Sequence, residues 1–212
     1  SMHTESYLHH GHTVYEHRLD VPLDHLRPAG EDNPTIQVFA REVVRKGRED
    51  SPYAVFLQGG PGYPSPRFGT FTGGWMNRLL QDYRVVLLDQ RGTGQSTRMD
   101  AQALSHLDTD EDKATYLRHF RQDQIVYDAE ALRLCDELHS NLILMDVVLP
   151  GMDGFALMKR LRLQETGAPK VIVLSALCTE QAVGEAVGLG ASFFFSKPCE
   201  MEALLERMGA AS

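Results

Sequence analysis

Three short apolar segments, each followed by a segment of helical periodicity, constrain this chain more than any other feature. Leu142–Val147, Val171–Leu174 and Ser192–Phe195 read as strands, and Gly154–Leu163, Thr179–Gly188 and Glu200–Met208 read as the helices between and after them. Continuous apolar strands that alternate with helices belong in a parallel sheet covered on both faces. The spacing therefore predicts an α/β fold for the C-terminal third of the chain.

The earlier residues follow a looser style. Thr13–Val21 and Thr35–Val44 alternate in β-favouring residues around a turn-rich stretch, Pro22–Pro34, and predict an antiparallel hairpin. After the polar segment Arg45–Ser51, Tyr53–Leu57 is a buried-type strand that stops at Gln58-Gly59-Gly60-Pro61-Gly62. A short helix is expected over Trp75–Gln81, then a second buried strand over Arg84–Asp89, ending in Gln90-Arg91-Gly92-Thr93-Gly94-Gln95-Ser96. From Asp110 to about Leu138 the pattern is helical, with Ile125, Ala129, Leu132 and Cys135 on one face. Loops before residue 135 are long and rich in Pro and Gly, and loops after it are short. His9-His10-Gly11-His12 is expected to be a floppy N-terminal tract.

Composition narrows the function classes. The 212 residues are 42% hydrophobic and 24% charged, as in an ordinary packed protein, and the net charge is −8. That charge argues against nucleic acid and anionic membrane as partners. No stretch reaches the roughly 18 uncharged residues of a membrane span, and no secretory apolar region opens the chain. Cys135, Cys178 and Cys199 form no Cys-x-x-Cys pair, so a reducing, cytoplasmic compartment is expected. Ser1-Met2 reads as the remnant of a cleaved expression tag, which predicts recombinant production. Gly92-Thr93-Gly94-Gln95-Ser96-Thr97 lacks the last Gly of a dinucleotide loop, and no Gly-Lys-Ser/Thr of a phosphate loop occurs.

Taken alone, Gly59 and Gly60 require only a tight strand-to-helix turn. Taken with Asp89-Gln90-Arg91-Gly92-Thr93-Gly94-Gln95-Ser96 and with Asp123-Gln124-Ile125-Val126-Tyr127-Asp128-Ala129-Glu130, the run from about residue 12 to 134 resembles the prolyl aminopeptidase branch of the α/β-hydrolases. The resemblance implies that Gly59 and Gly60 belong to an oxyanion-hole loop. The family's other parts are missing. Gly94-Gln95-Ser96-Thr97-Arg98 and Gly190-Ala191-Ser192-Phe193-Phe194 both fail the Gly-x-Ser-x-Gly pattern of a nucleophile turn. All nine histidines lie at or before His139, whereas the family's general base comes late in the chain.

Asn141-Leu142-Ile143-Leu144-Met145-Asp146-Val147-Val148-Leu149-Pro150-Gly151-Met152-Asp153-Gly154 is a second specific run. With Ser175-Ala176, Gly190-Ala191 and Lys197-Pro198 following in order, residues 138 to 209 resemble a response-regulator receiver domain. The resemblance implies that Asp146 is the phosphoacceptor, Ser175 the hydroxyl touching the phosphoryl group, and Lys197 the cation pairing with it. Phe194 takes the aromatic switch position, and Lys197-Pro198 the family's cis peptide. Of the Mg²⁺ ligands it implies, Asp146 and the Val148 carbonyl remain. The strand carrying the acidic pair is absent.

Both families build right-handed parallel sheets, so the two parts can share one. The expected order is Thr13–Val21, Thr35–Val44, Arg84–Asp89, Tyr53–Leu57, Leu142–Val147, Val171–Leu174, Ser192–Phe195. This is one doubly wound, mostly parallel sheet of about seven strands with an N-terminal antiparallel hairpin. The hydrolase-like half is expected over 1–134 and the receiver-like half over 135–212, forming one continuous domain. The functional expectation is a folded chimera with no complete catalytic machinery, no cofactor beyond weakly held Mg²⁺, and a homodimer wherever apolar surface is left uncovered. Two alternatives stand beside it: a module phosphorylated at Asp146, and a residual serine hydrolase of aminopeptidase type.

Overall fold

A computed structural model of the chain describes residues 1–57, 74–99, 101–120, 128, 140–147, 159, 170–175 and 180–196. Its eight strands are β1 (Met2–His9), β2 (His12–Pro22), β3 (Thr35–Arg45), β4 (Tyr53–Leu57), β5 (Arg84–Asp89), β6 (Ser140–Val147), β7 (Lys170–Ser175) and β8 (Phe193–Ser196). The described helices are α1 (Gly74–Asp82), α2 (Ala101–Leu104), α3 (Asp110–Arg118) and α4 (Glu180–Gly188). All eight strands form one mixed sheet in the order β1-β2-β3-β5-β4-β6-β7-β8. Strands β5, β4, β6, β7 and β8 run parallel, and β1, β2 and β3 add to them by antiparallel pairing.

The sheet has eight strands rather than about seven, because Met2–His9, to which no element was assigned, forms β1, and the His9-His10-Gly11-His12 tract expected to be floppy is the turn into β2. His10 and Gly11 make the two-residue turn, with φ of 44° and 77°. Positive φ at both positions matches the twist of a tight hairpin. From there β1 pairs with β2 along its whole length, from His9↔His12 to Met2↔Leu19. The strand was illegible in sequence because its residues are mostly solvent-exposed and show no apolar face to read.

The core follows the alternation. Val38, Val43, Val85, Val86, Leu87 and Leu88 are almost wholly buried between the sheet and its coverings. Helix α1 buries Met76, Leu79 and Leu80, an i, i+3, i+4 stripe that seats it on the sheet. Past β4 the sheet continues directly into β6, with Ala54↔Leu142, Val55↔Ile143, Phe56↔Leu144 and Leu57↔Met145. One irregularity marks the start of this seam, where Tyr53 pairs with Ser140 and the register then shifts.

The helical pattern expected from Asp110 to about Leu138 is interrupted at residues 119–120, and Asp128 beyond them is again helical. Helix α3 stops at Arg118, and the His119 and Phe120 amides turn back to Tyr116 and Leu117 carbonyls in tight i→i+3 bonds. Phe120 is buried and the His119 carbonyl is captured by Arg91, so tertiary contacts end the helix where local propensity would extend it. At its other end Thr109 caps the helix, its hydroxyl accepting from the Asp112 amide at 3.0 Å. The Ile125–Cys135 face and the helices expected over 154–163 and 200–208 lie outside the described residues.

Candidate functional site

In an open parallel sheet, ligand chemistry gathers at the carboxyl ends of the strands. At this edge the register sets out two consecutive rows. Asp146 pairs with Leu174, and Val147 with Ser175, which in turn pairs with Ser196. Asp146 and Ser175, the implied acceptor and hydroxyl, therefore stand on adjacent strands one row apart at the end of β6 and β7. Phe194 sits on β8 opposite Val173. Lys197, Val148, Gly59 and Gly60, the remaining expected site residues, lie outside the described residues.

The strand beside β6 bears on metal binding. β4 ends in Leu57, so the described part of this neighbour offers no carboxylate where a receiver would place its acidic pair. Asp89 is the nearest described alternative along the row. Leu87 and Leu144 flank Phe56 on β5 and β6, so Asp89 and Asp146, each two residues on, occupy one row on either side of β4. Two strand spacings separate their backbones by about 9–10 Å. Asp89 is buried, and its Oδ2 accepts from the Gln95 amide at 3.1 Å. Among the described residues, no group of three or more His, Cys, Asp or Glu is placed to hold a metal.

The Asp89–Ser96 motif proves to be a clamp. Arg91 is fully buried, and all five of its N–H groups are used. Nε and Nη2 grip Asp128 at 2.6 Å each, Nη1 donates to the carbonyls of Leu23 and His119, and Nη2 also reaches the Pro22 carbonyl at 3.2 Å. His25 Nε2 donates to Asp128 Oδ1 at 2.7 Å. Ser96 accepts from the Phe39 amide and donates to the Asp89 carbonyl, which stitches the loop to β3. Gly92 has a φ of 85°, and a Cβ there would lie 3.0 Å from the Phe120 ring, so the position needs glycine.

A second buried group crosses the sheet. His17 Nε2 donates to Glu42 Oε2 at 2.7 Å, and the Thr4 hydroxyl meets Nδ1 at 2.8 Å, which gives both ring nitrogens a partner. Glu42 Oε1 accepts from Arg84 Nε at 2.7 Å, and the Arg84 guanidinium packs over the Tyr53 and Tyr15 rings. Sequence reading singled out none of His17, His25, Glu42 or Arg84 as a site residue. Their partners lie 13 to 103 residues apart along the chain, and no local pattern marks them.

Comparison with known proteins assigns the two parts separately. The response regulator receiver domain family model matches residues 116–209, beginning upstream of the boundary expected at 135. The chain is 50% identical over 119 residues to a proline iminopeptidase of Aeromonas sobria. It is 38% identical over 122 residues to a proline iminopeptidase of Aspergillus aculeatus. These matches cover 55% and 56% of the chain but only 27% and 26% of the relatives, so the chain spans about a quarter of their length. A cold-adapted esterase from an Arctic intertidal metagenomic library superposes with a TM-score of 0.50 at 13% identity, covering 99% of this chain and 98% of that one. This last likeness speaks for the fold alone. The chain joins a part similar to proline iminopeptidases to a part that resembles response-regulator receiver domains.

Proposed function

We propose that the chain is a composite protein in which a hydrolase-like part and a receiver-like part complete one sheet, while neither brings a whole catalytic apparatus. The observation that carries this reading is the parallel pairing of Ala54–Leu57 with Leu142–Met145. In a hydrolase the strand in that slot would carry the nucleophile, and here the strand ending in Asp146 fills it. Within these 212 residues no Gly-x-Ser-x-Gly turn occurs and no histidine follows His139, which supports this reading. In this reading the parts serve each other as scaffold, and Asp146, Ser175 and Lys197 are a vestigial phosphoacceptor set without the acidic pair of its usual metal site. Mg²⁺ is held weakly, and any self-association runs through apolar surface that neither part covers.

A second reading, phosphorylation at Asp146, draws support from the adjacent placement of Asp146 and Ser175 at the strand ends. One experiment separates the two. The chain is incubated with Mg²⁺ and acetyl phosphate and followed by intact-mass spectrometry, with Asp146→Asn as control. The composite reading expects no phosphorylated species above the control at any time point. A species that forms in the parent chain and not in Asp146→Asn establishes the second reading instead. Proline arylamides and nitrophenyl esters test residual hydrolysis, for which flat progress curves are expected.

A further inference from the structure

Arg18 and Arg41 share an aromatic platform and leave donors unused. The Arg18 and Arg41 guanidinium carbons lie 5.0 and 5.1 Å from the centroid of the buried Phe39 ring. Arg18 stands opposite Phe39 in the β2–β3 register, and Arg41 is two residues along β3 on the same face. The Nη1 of Arg18 and the Nε of Arg41 are both buried and have no hydrogen-bond partner. Arg18 spends Nη2 on the Gln95 side-chain oxygen at 3.1 Å. Among the described residues, Arg41 makes no side-chain hydrogen bond or ion pair.

Arg18 and Arg41 are only partly buried, and two other arginines spend their donors differently. Arg91 uses every donor, and Arg84 is held by Glu42. A guanidinium stays charged, and a buried N–H left without an acceptor loses the hydrogen bond it would make to water. Two such groups drawn to one ring also repel each other. The nearby carboxylates do not resolve this. Glu16 Oε2 reaches only Arg18, at 3.8 Å, although Glu16 stands opposite Arg41 in register. Asp89, on the far side of Phe39, is engaged with the Gln95 amide. Arg18 and Arg41 thus keep unspent donors although Glu16 and Asp89 lie close by.

We propose that Arg18 and Arg41 bind a small oxyanion, a carboxylate or phosphate group, beside the Phe39 ring. Each arginine presents a planar fork suited to paired oxygens, and an anion accepting from both would satisfy the buried donors and relieve the repulsion. Glu16 is the internal competitor for the same cations, so its charge opposes binding.

Equilibrium dialysis with radiolabelled inorganic phosphate, at ionic strength held constant with chloride, tests the site, and acetate competition distinguishes the two anion classes. Saturable one-to-one phosphate binding is expected, at least tenfold weaker in Arg41→Gln, intermediate in Arg41→Lys, unchanged in Lys46→Gln, and tighter in Glu16→Gln. Displacement by equimolar acetate would assign the site to carboxylates, and resistance to it would assign the site to phosphates. Absence of saturable binding, or equal weakening by Arg41→Gln and Lys46→Gln, would overturn the proposal. The unmodified chain gives a check that needs no variant. Phosphate should slow phenylglyoxal labelling of Arg18 and Arg41 several-fold while leaving exposed Arg98 unaffected. Equal rates with and without phosphate would count against the site.

Discussion

Two buried His–carboxylate–Arg groups hold different kinds of structure. His17, Glu42 and Arg84 lie on β2, β3 and β5, strands that main-chain pairing already aligns. His25 and Arg91 lie on connections and Asp128 is helical, and Arg91 also collects the carbonyls of Pro22, Leu23 and His119. The first group reinforces a sheet that has other means of cohesion. The second joins elements that do not share a strand pair, gathering the end of β2, the end of α3 and the helical Asp128 around one side chain. The same chemistry therefore has a different structural weight in the two places.

Removing the carboxylate of the connecting group should cost most. Asp128→Ala leaves Arg91 charged and unpaired at full burial, and a broken buried pair typically costs about 3–5 kcal/mol. Urea unfolding should show that loss, and a loss below about 1 kcal/mol would erase the contrast between the groups. Glu42→Gln should cost less, about 1–3 kcal/mol, since the amide keeps the shape and one acceptor while main-chain pairing holds the strands. A Glu42→Gln loss exceeding that of Asp128→Ala would reverse the ranking.

The smallest effect concerns pH. Tyr83, at the end of α1, has its phenol raised above the usual 10, first by burial and then by the neighbouring Asp82 carboxylate. The unfolded chain thus loses this proton before the folded chain does. The stability it contributes is full below about pH 10 and is lost as pH rises through the higher folded value. Tyr83→Phe should flatten the alkaline arm of a stability–pH profile, and an unaltered arm would assign that loss to other groups.

What the sequence disclosed and what it hid divide along physical lines. The placement of Tyr53–Leu57 between Arg84–Asp89 and Leu142–Val147 was legible because apolar runs and glycine stops are local and the crossover rule is general. Strand β1 was not, since a polar edge strand carries no burial pattern. The end of α3 at Arg118 depends on Arg91 gripping the His119 carbonyl, a contact 28 residues away. At the site, the Asp146 and Ser175 positions could be read from their runs. The Asp89–Ser96 motif was legible as a family mark, but its work as a clamp needed Asp128, Pro22, Leu23 and His119 in space. The Arg18–Arg41 pair left no trace in sequence, because it depends on cross-strand register.

The central claim is that β4 and β6 form one cooperative sheet across the boundary between the two resemblances. Hydrogen exchange measured by mass spectrometry in increasing urea tests it most directly, at the amides of Tyr53–Leu57 and Ser140–Val147. A shared sheet predicts that both segments lose protection together, at the urea concentration of global unfolding. Loss of protection in Ser140–Val147 well before Tyr53–Leu57, or two separate transitions, would contradict it.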